Sequence, residues 1–184
     1  MAFTALAIYS VAYWLRLRLK AWLSTIININ NMVIQSKLLK VAEVQISYNP
    51  KFKVSERPQI SKSKDAYDIL IQQWDLGKIE LLEEFKILLL NRRNRVLGIV
   101  HISSGGLSGT VADPKVIFTA GLKACASGII LCHNHPSGEL NPSSEDLALT
   151  GRLIEAGKML DLKILDHLII ITNGYYSFGD EGTL

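Results

Sequence analysis

The chain has 184 residues, which is enough for one domain with a proper hydrophobic core and too few for two ordinary domains joined by a linker. Hydrophobic residues make up 48% and charged residues 20% of the sequence, a balance that excludes a disordered tail. Residues 1–55 carry seven Lys or Arg and one acid, whereas residues 56–184 carry 13 basic and 16 acidic residues. The overall charge of the larger part therefore does not favour nucleic-acid binding. Only a local basic patch remains as a possible nucleic-acid contact.

The first thirty residues differ from the rest of the chain. Residues 1–14 are apolar and uncharged, and they lead into LRLRLKAWL, whose basic residues are Arg16, Arg18 and Lys20. A signal peptide carries its positive charge ahead of the apolar run, and a membrane-spanning helix needs about 20 apolar residues, so neither is predicted. Two interpretations stay open: residues 1–31 precede a native start at Met32, which we favour, or they form a helix in a membrane interface.

The domain itself is predicted to begin near residue 60, after the polar segment SERPQISKSKD. This boundary divides the chain into an N-terminal extension over residues 1–59 and one domain over residues 60–184. Apolar residues at helical spacing predict a first helix from Ser63. They are Ala66, Ile69, Leu70 and Trp74.

An antiparallel hairpin is predicted around residues 85–103. The run FKILLLN is typical of a mostly buried strand, NRRN of a polar turn and RVLGIVHIS of a second strand. The glycine-rich loop SSGGLSGT follows. It does not open directly into a helix, so it is a weak match to a phosphate-binding loop.

The second half of the domain continues the alternation of helices and strands. Asp113 and Pro114 predict a helix start, and Gly128 is predicted to end that helix. The short apolar run IILCH predicts a buried strand that places His133 at its end. SSED begins a further helix, and LKILDHLIII and YYSF predict two closing strands around a TNG turn. The expected fold class is therefore α/β, with a mixed β-sheet flanked by helices.

The chain contains two cysteines, Cys125 and Cys132. Both lie in segments that we interpret as buried, so a disulfide framework is not predicted and a reducing, cytoplasmic setting fits better. Cys132 precedes the histidine motif, but a small core residue is the more frequent use of a free cysteine than a metal ligand.

The segment HNHPSG, residues 133–138, indicates a metal site. Two histidines at positions i and i+2 at a strand end point to the same side, so the imidazoles of His133 and His135 can converge on one ion. Asp146 lies in the first turn of the next helix, where a loop that folds back would bring its carboxylate to the same point. Two histidine nitrogens, one carboxylate oxygen and a water form the open tetrahedral site of catalytic zinc, so we predict Zn²⁺ as the cofactor.

A catalytic site of this kind also needs a base outside the ligand set. Glu83 and Glu84 are the candidates, because both precede the strand FKILLL and strand alternation lets only one of them face the metal. Ser143 is a candidate donor to the oxyanion that forms when water attacks a carbonyl. Its alternative role is an ordinary helix N-cap, and Asp146 can likewise be an ordinary acid in a first helical turn.

Together, Glu83, His133, His135, Ser143 and Asp146 resemble the complete JAMM motif of the MPN metalloprotease superfamily. Four longer segments are similar to the bacterial RadC family, whose C-terminal domain is of this type. They are SSGGLSGTVADP, HNHPSGELNPSSEDL, LKILDHLII and YYSFGDEG, and the resemblance extends from about residue 60 to the end of the chain.

The resemblance implies a JAMM/MPN fold, related to the cytidine-deaminase-like arrangement, with zinc on His133, His135 and Asp146. It selects Glu83 over Glu84 as the general base and implies hydrolysis of an amide or isopeptide bond in a peptide-type substrate. The longer RadC proteins begin with a helix-hairpin-helix region suited to DNA, and residues 1–55 do not resemble one. The chain is thus similar to the short forms, and DNA as a partner is only weakly supported.

The sequence leaves two functional alternatives and two further histidines to interpret. A non-catalytic accessory role in DNA repair or mobile-element DNA processing would keep the fold and the metal, whereas nucleobase deamination needs a His-x-Glu and a Pro-Cys-x-x-Cys that the sequence lacks. His167 is interpreted as one half of a buried structural pair with Asp166, with a position behind the metal ligands or a further ligand as alternatives. His101 is interpreted as a satisfied core or surface residue.

Overall fold

The computed structural model describes residues 14–29, 53–105 and 110–184. A five-stranded sheet in the order β2-β1-β3-β4-β5 lies at the centre of the domain. Its strands are β1 (Glu84–Leu90), β2 (Val96–Ser104), β3 (Gly128–Asn134), β4 (Lys163–Ile171) and β5 (Gly174–Ser177). β1 runs antiparallel to β2 and β3, β3 runs parallel to β4, and β4 runs antiparallel to β5. This confirms the predicted α/β class with a mixed sheet.

Three helices belong to the domain: α2 (Ser63–Ile71), α3 (Pro114–Lys123) and α4 (Ser144–Met159); a short 3-10 turn precedes them at Val54–Glu56. Local sequence explains where two of these helices begin. The carboxylate of Asp113 accepts a hydrogen bond from the backbone N–H of Lys115, with proline at the first helical position. Ser143 and Asp146 form a reciprocal capping box at the start of α4.

The sheet is covered on both faces, and each face has its own apolar core. On one face, α2 packs against alternate residues of the central strands, including Leu88, Leu90, Ile130, Cys132 and Leu168. On the other face, α3 and α4 pack against the intervening residues, including Phe85, Ile87, Ile129 and Leu131. Because side chains alternate along β3, His133 lies on the same face as Leu131, while Asn134 lies on the face of Cys132 and α2.

Two predictions for the segment between α3 and β3 are wrong. Gly128 does not end α3, which stops at Lys123 with Ala124 as its C-cap. Gly128 is instead the first residue of β3, where a Cβ atom would lie 2.5 Å from the end of the Leu165 side chain, so that side chain would have to move to admit a larger residue. Cys125 is exposed rather than buried, because the chain turns at this residue with a φ of 51°, whereas Cys132 is buried as expected.

Residues 14–29 form a further helix, α1. Contacts divide the chain into two units between residues 45 and 46, and α1 belongs to the first of them. Most of its side chains are exposed, including Leu15, Leu19 and Trp22. In the described parts of the chain, no helix combines the length and hydropathy needed to cross a membrane. The predictions for residues 1–13 and for Met32, and much of the glycine-rich loop, lie outside the described residues.

Candidate metal centre

Three side chains meet where β3 ends and α4 begins. His133 Nε2 lies 2.9 Å from His135 Nε2 and 3.2 Å from Asp146 Oδ1, and His135 Nε2 lies 3.6 Å from Asp146 Oδ2. His133 is almost fully buried, and the other two side chains are about 15% exposed. The structure therefore brings together the three residues that the sequence predicts as metal ligands.

These separations fit a small tetrahedral cation. Zinc holds nitrogen and oxygen ligands at about 2.0–2.1 Å, so neighbouring ligands of a tetrahedral site lie about 3.3 Å apart. The separations of 2.9 Å between the two Nε2 atoms and 3.2 Å between His133 Nε2 and Asp146 Oδ1 lie near that value, while the 3.6 Å separation from His135 is to the other carboxylate oxygen, Oδ2. The donor set of two imidazoles and one carboxylate leaves a fourth position open, as catalytic rather than structural zinc sites do.

The orientation of His135 is fixed by its own loop. Its Nδ1 lies 2.6 Å from the backbone carbonyl oxygen of Glu139, and a carbonyl can only accept, so Nδ1 carries a proton and Nε2 faces the centre. The pKa of His135 is raised, mainly by the side chain of Asp146. Burial lowers it, while the Glu139 carbonyl and the charges of Asp146 and Glu83 add to the increase. The carbonyl of Glu139 thus fixes which ring nitrogen of His135 faces the centre.

Asp146 supplies a carboxylate that stays ionised. Its Oδ2 accepts hydrogen bonds from the backbone N–H of Ser143 at 2.8 Å and from the Ser143 hydroxyl at 2.6 Å. Burial would raise the pKa of Asp146, but the neighbouring side chains of His133, His135 and Ser143 outweigh it and hold that pKa well below its usual range. The Ser143 hydroxyl thus bonds to Asp146 here, and its predicted contact with an oxyanion stays a prediction.

The two glutamates before β1 have different surroundings. Glu84 belongs to a buried polar group on the α2 side, where its Oε2 lies 2.9 Å from Lys86 Nζ without the alignment of a hydrogen bond. The Lys86 ammonium also lies 3.9 Å from the Trp74 ring and donates to the carbonyl of Gln73. Glu83 is the glutamate whose charge acts on His135. Glu84 is thus paired with Lys86, which leaves Glu83 as the candidate base, and that role stays a prediction.

Two groups lie behind the centre: Asn134, which was not identified from the sequence, and His167, for which a position behind the metal ligands was one of the alternatives. Asn134, on the opposite face of β3, uses its amide to bond the segment that precedes β1, including the backbone N–H of Glu84 at 2.7 Å. His167 Nε2 lies 2.8 Å from His133 Nδ1, and its Nδ1 lies 2.7 Å from Thr150 Oγ1. Strand periodicity is the signal that could have found His167, because it shares the sheet face of His133.

The prediction of a structural pair between His167 and Asp166 is wrong for their side chains. Consecutive residues of β4 point to opposite faces, so the carboxylate of Asp166 accepts from the backbone N–H of His167, not from its ring. Asp166 also accepts from Ser177 Oγ and from the N–H of Gly179. His101 is exposed and its Nε2 lies 3.0 Å from Ser104 Oγ, which agrees with a satisfied surface residue.

A cleft of about 240 Å³ opens beside His135. Residues 79–80, 136–138 and 171–173 form its walls. His135 lines this cleft, whereas His133 and Asp146 do not, so the cleft borders the centre on the side of His135.

Comparison with known proteins identifies relatives of the domain. A family model described as RadC-like JAB domain matches residues 60–183. A UPF0758 protein of Flavobacterium johnsoniae is 50% identical over 124 residues, which are 67% of this chain and 53% of that protein. A UPF0758 protein of Alkaliphilus metalliredigens is 40% identical over 126 residues, which are 68% of this chain and 53% of that protein. One of Clostridium perfringens is 38% identical over 136 residues, which are 73% of this chain and 59% of that protein. The chain thus spans a little over half the length of these relatives.

Proposed function

This chain belongs to the family of RadC-like JAB domains, and on that basis we propose that it is a zinc-dependent hydrolase that cleaves an amide-type bond. The observation that carries the proposal is the convergence of His133, His135 and Asp146, which can each offer one ligand atom within 4.8 Å of the other two. The family resemblance favours a peptide or isopeptide substrate. The two free cysteines suit the reducing, cytoplasmic setting that we propose with it.

Each side chain has a distinct task in this proposal. His133, His135 and Asp146 hold the ion, which when bound supplies Lewis acidity and lowers the pKa of a water toward about 7. Glu83 accepts the proton from the attacking water and later gives it to the leaving amine. Asp146 stays ionised because of its hydrogen bonds, so it balances the positive charge of the centre.

The sharpest test compares Glu83→Gln with Glu84→Gln. We expect both variants to retain about one zinc per chain, because neither glutamate is a ligand. Glu83→Gln should lower turnover of a peptide or isopeptide substrate by about 10²–10⁴-fold, because it removes the proton acceptor. Glu84→Gln should keep turnover within a few-fold and should cost roughly 1–3 kcal/mol of stability, because buried Lys86 loses its counter-charge.

Three outcomes would contradict the proposal in different ways. Loss of zinc from Glu83→Gln would show that Glu83 is a ligand. If no peptide or isopeptide of a broad panel is cleaved in a chelator-sensitive way, the proposed hydrolase activity is contradicted. Salt-dependent binding of branched or single-stranded DNA that Glu83→Gln leaves unchanged would favour the accessory role in DNA processing instead.

A further inference from the structure

A buried chain of hydrogen bonds connects two of the three candidate ligands from behind. His133 Nδ1 lies 2.8 Å from His167 Nε2, His167 Nδ1 lies 2.7 Å from Thr150 Oγ1, and Thr150 Oγ1 lies 2.6 Å from the backbone carbonyl oxygen of Asp146. His133, Thr150 and His167 are each at most 2% exposed. This series of hydrogen bonds begins on β3, passes through β4 and ends on α4, so it connects the elements that form the centre.

The carbonyl at one end sets the direction of every bond in this chain. A carbonyl oxygen only accepts, so the single hydroxyl proton of Thr150 points to Asp146, as it does in helices where threonine bonds to the carbonyl four residues earlier. Thr150 Oγ1 must then accept from Nδ1–H of His167. Neutral His167 has no second ring proton, so its Nε2 accepts from Nδ1–H of His133. Nε2 of His133 is left with a lone pair that faces the centre.

The ring of His167 lies in apolar surroundings, which favour its neutral form. The ring stacks on Phe178 at a centroid distance of 4.7 Å and lies 5.7 Å from the Phe85 ring, and a charged ring between two phenyl groups would be poorly solvated. A positively charged His167 would donate to His133 instead and would force the proton of His133 onto Nε2. That arrangement would block the metal-facing nitrogen.

We propose that Thr150 and His167 are positioning residues that fix His133 in its Nδ1–H tautomer and thereby present its Nε2 as a metal ligand. This inference rests on the proposed zinc site and adds to it the groups that orient one ligand. His135 reaches the same tautomer by a separate and local route, through the carbonyl of Glu139. The two histidine ligands are therefore oriented independently. The loop that contains Glu139 orients His135, and the packing of α4 against β4 orients His133.

The test compares Thr150→Val, which keeps the shape and removes the hydroxyl, with Thr150→Ser, which restores it. Long-range ¹H–¹⁵N correlations of the imidazole nitrogens report the tautomers of His133 and His167, and competition with a chromophoric chelator reports zinc affinity. We expect Nδ1–H on both rings in the wild type. Zinc affinity should fall about 10- to 100-fold in Thr150→Val and should stay near the wild-type value in Thr150→Ser.

The readouts separate this inference from the proposed reaction. Zinc bound with the expected tautomers but without hydrolysis would overturn the reaction and support the positioning role. A proton on Nε2 of His133 in the metal-free wild type, or unchanged zinc affinity in folded Thr150→Val, would overturn the positioning role alone. Failure of the wild type to bind zinc would overturn both. The wild-type tautomers decide the question even if Thr150→Val does not fold.

Discussion

The side-chain oxygen of Asn134 accepts a hydrogen bond from the backbone N–H of Glu84 at 2.7 Å. Asn134 sits between the two histidines of the centre but points to the opposite face of β3, where its oxygen also accepts from the indole N–H of Trp74. Its amide nitrogen donates to the carbonyls of Ile79 and Leu82. One buried side chain thus links the histidine strand to the segment that carries Glu83.

We expect Asn134→Ala to destabilise the domain by about 2–4 kcal/mol, because it leaves several buried backbone and side-chain groups without partners. Zinc stoichiometry in the folded fraction should not change, since Asn134 faces away from the ligands. Denaturant titration followed by tryptophan fluorescence measures the stability, and metal analysis measures the zinc. A stability within 0.5 kcal/mol of the wild type would contradict the role given to this amide, since about that much is expected of a neutral surface change.

Gly157 and Gly151 provide a matched pair on α4. A Cβ at Gly157 would overlap the carbonyl oxygen of Leu162, where α4 turns toward β4, whereas a Cβ at Gly151 would meet nothing within 4 Å. We expect Gly157→Ala to cost about 1–3 kcal/mol through overpacking, and Gly151→Ala to gain roughly 0.5–1 kcal/mol through helix propensity. Thermal and denaturant unfolding of both variants measures whether each substitution lowers or raises the stability. Equal effects would show that α4 does not approach β4 as closely as described.

The buried carboxyl of Asp166 predicts a pH dependence of stability. Burial raises the pKa of Asp166 above the ordinary 3.8, with the charge of Asp180 adding to it and hydrogen bonds from Ser177, Gly179 and His167 opposing it. As the pH rises above 3.8, the unfolded chain releases this proton before the folded domain does, so stability falls until the folded-state pKa is passed.

Asp166→Asn removes this titration while its amide oxygen can still accept from the backbone. The unfolding free energy of the wild type, taken relative to Asp166→Asn, should therefore decrease with rising pH, by at most about 1.4 kcal/mol per pH unit. Denaturant titrations of both proteins between pH 4 and pH 7 measure the difference. A difference that increases with pH would mean that the hydrogen bonds to Asp166 outweigh its burial.

Ser143 has two separable roles that substitution can distinguish. Ser143→Ala removes the N-cap of α4 and a hydrogen bond to Asp146 Oδ2, so we expect a loss of about 1 kcal/mol of stability together with weaker zinc binding. Ser143→Thr should restore both. If Ser143→Ala instead lowers kcat while stability and zinc affinity stay unchanged, the hydroxyl acts on the substrate, as the motif resemblance implies.

Much of the fold could be predicted because its signals are local. The Asp113–Pro114 start of α3 and the capping box of Ser143 and Asp146 depend on groups within three residues of each other. The period-2 pattern of the hairpin and the short apolar run before His133 predict strands that the structure contains. Gly128 was misassigned because a glycine after a helix is a typical end signal, whereas it begins β3 beside the side chain of Leu165 on the neighbouring strand.

The sequence by itself determined the residues of the centre and the family, because a two-residue histidine spacing on a strand and an acid in a first helical turn restrict where those side chains can point. The tertiary structure decided the rest: that Glu84 pairs with Lys86, that Asn134 holds the segment before β1, and that His167 bonds both His133 and Thr150. The hydrogen bonds of Asn134 to Glu84, of His133 to His167 and of His167 to Thr150 join residues 17 to 50 positions apart in the chain. Their distances depend on strand register and on helix packing, which no short stretch of sequence specifies.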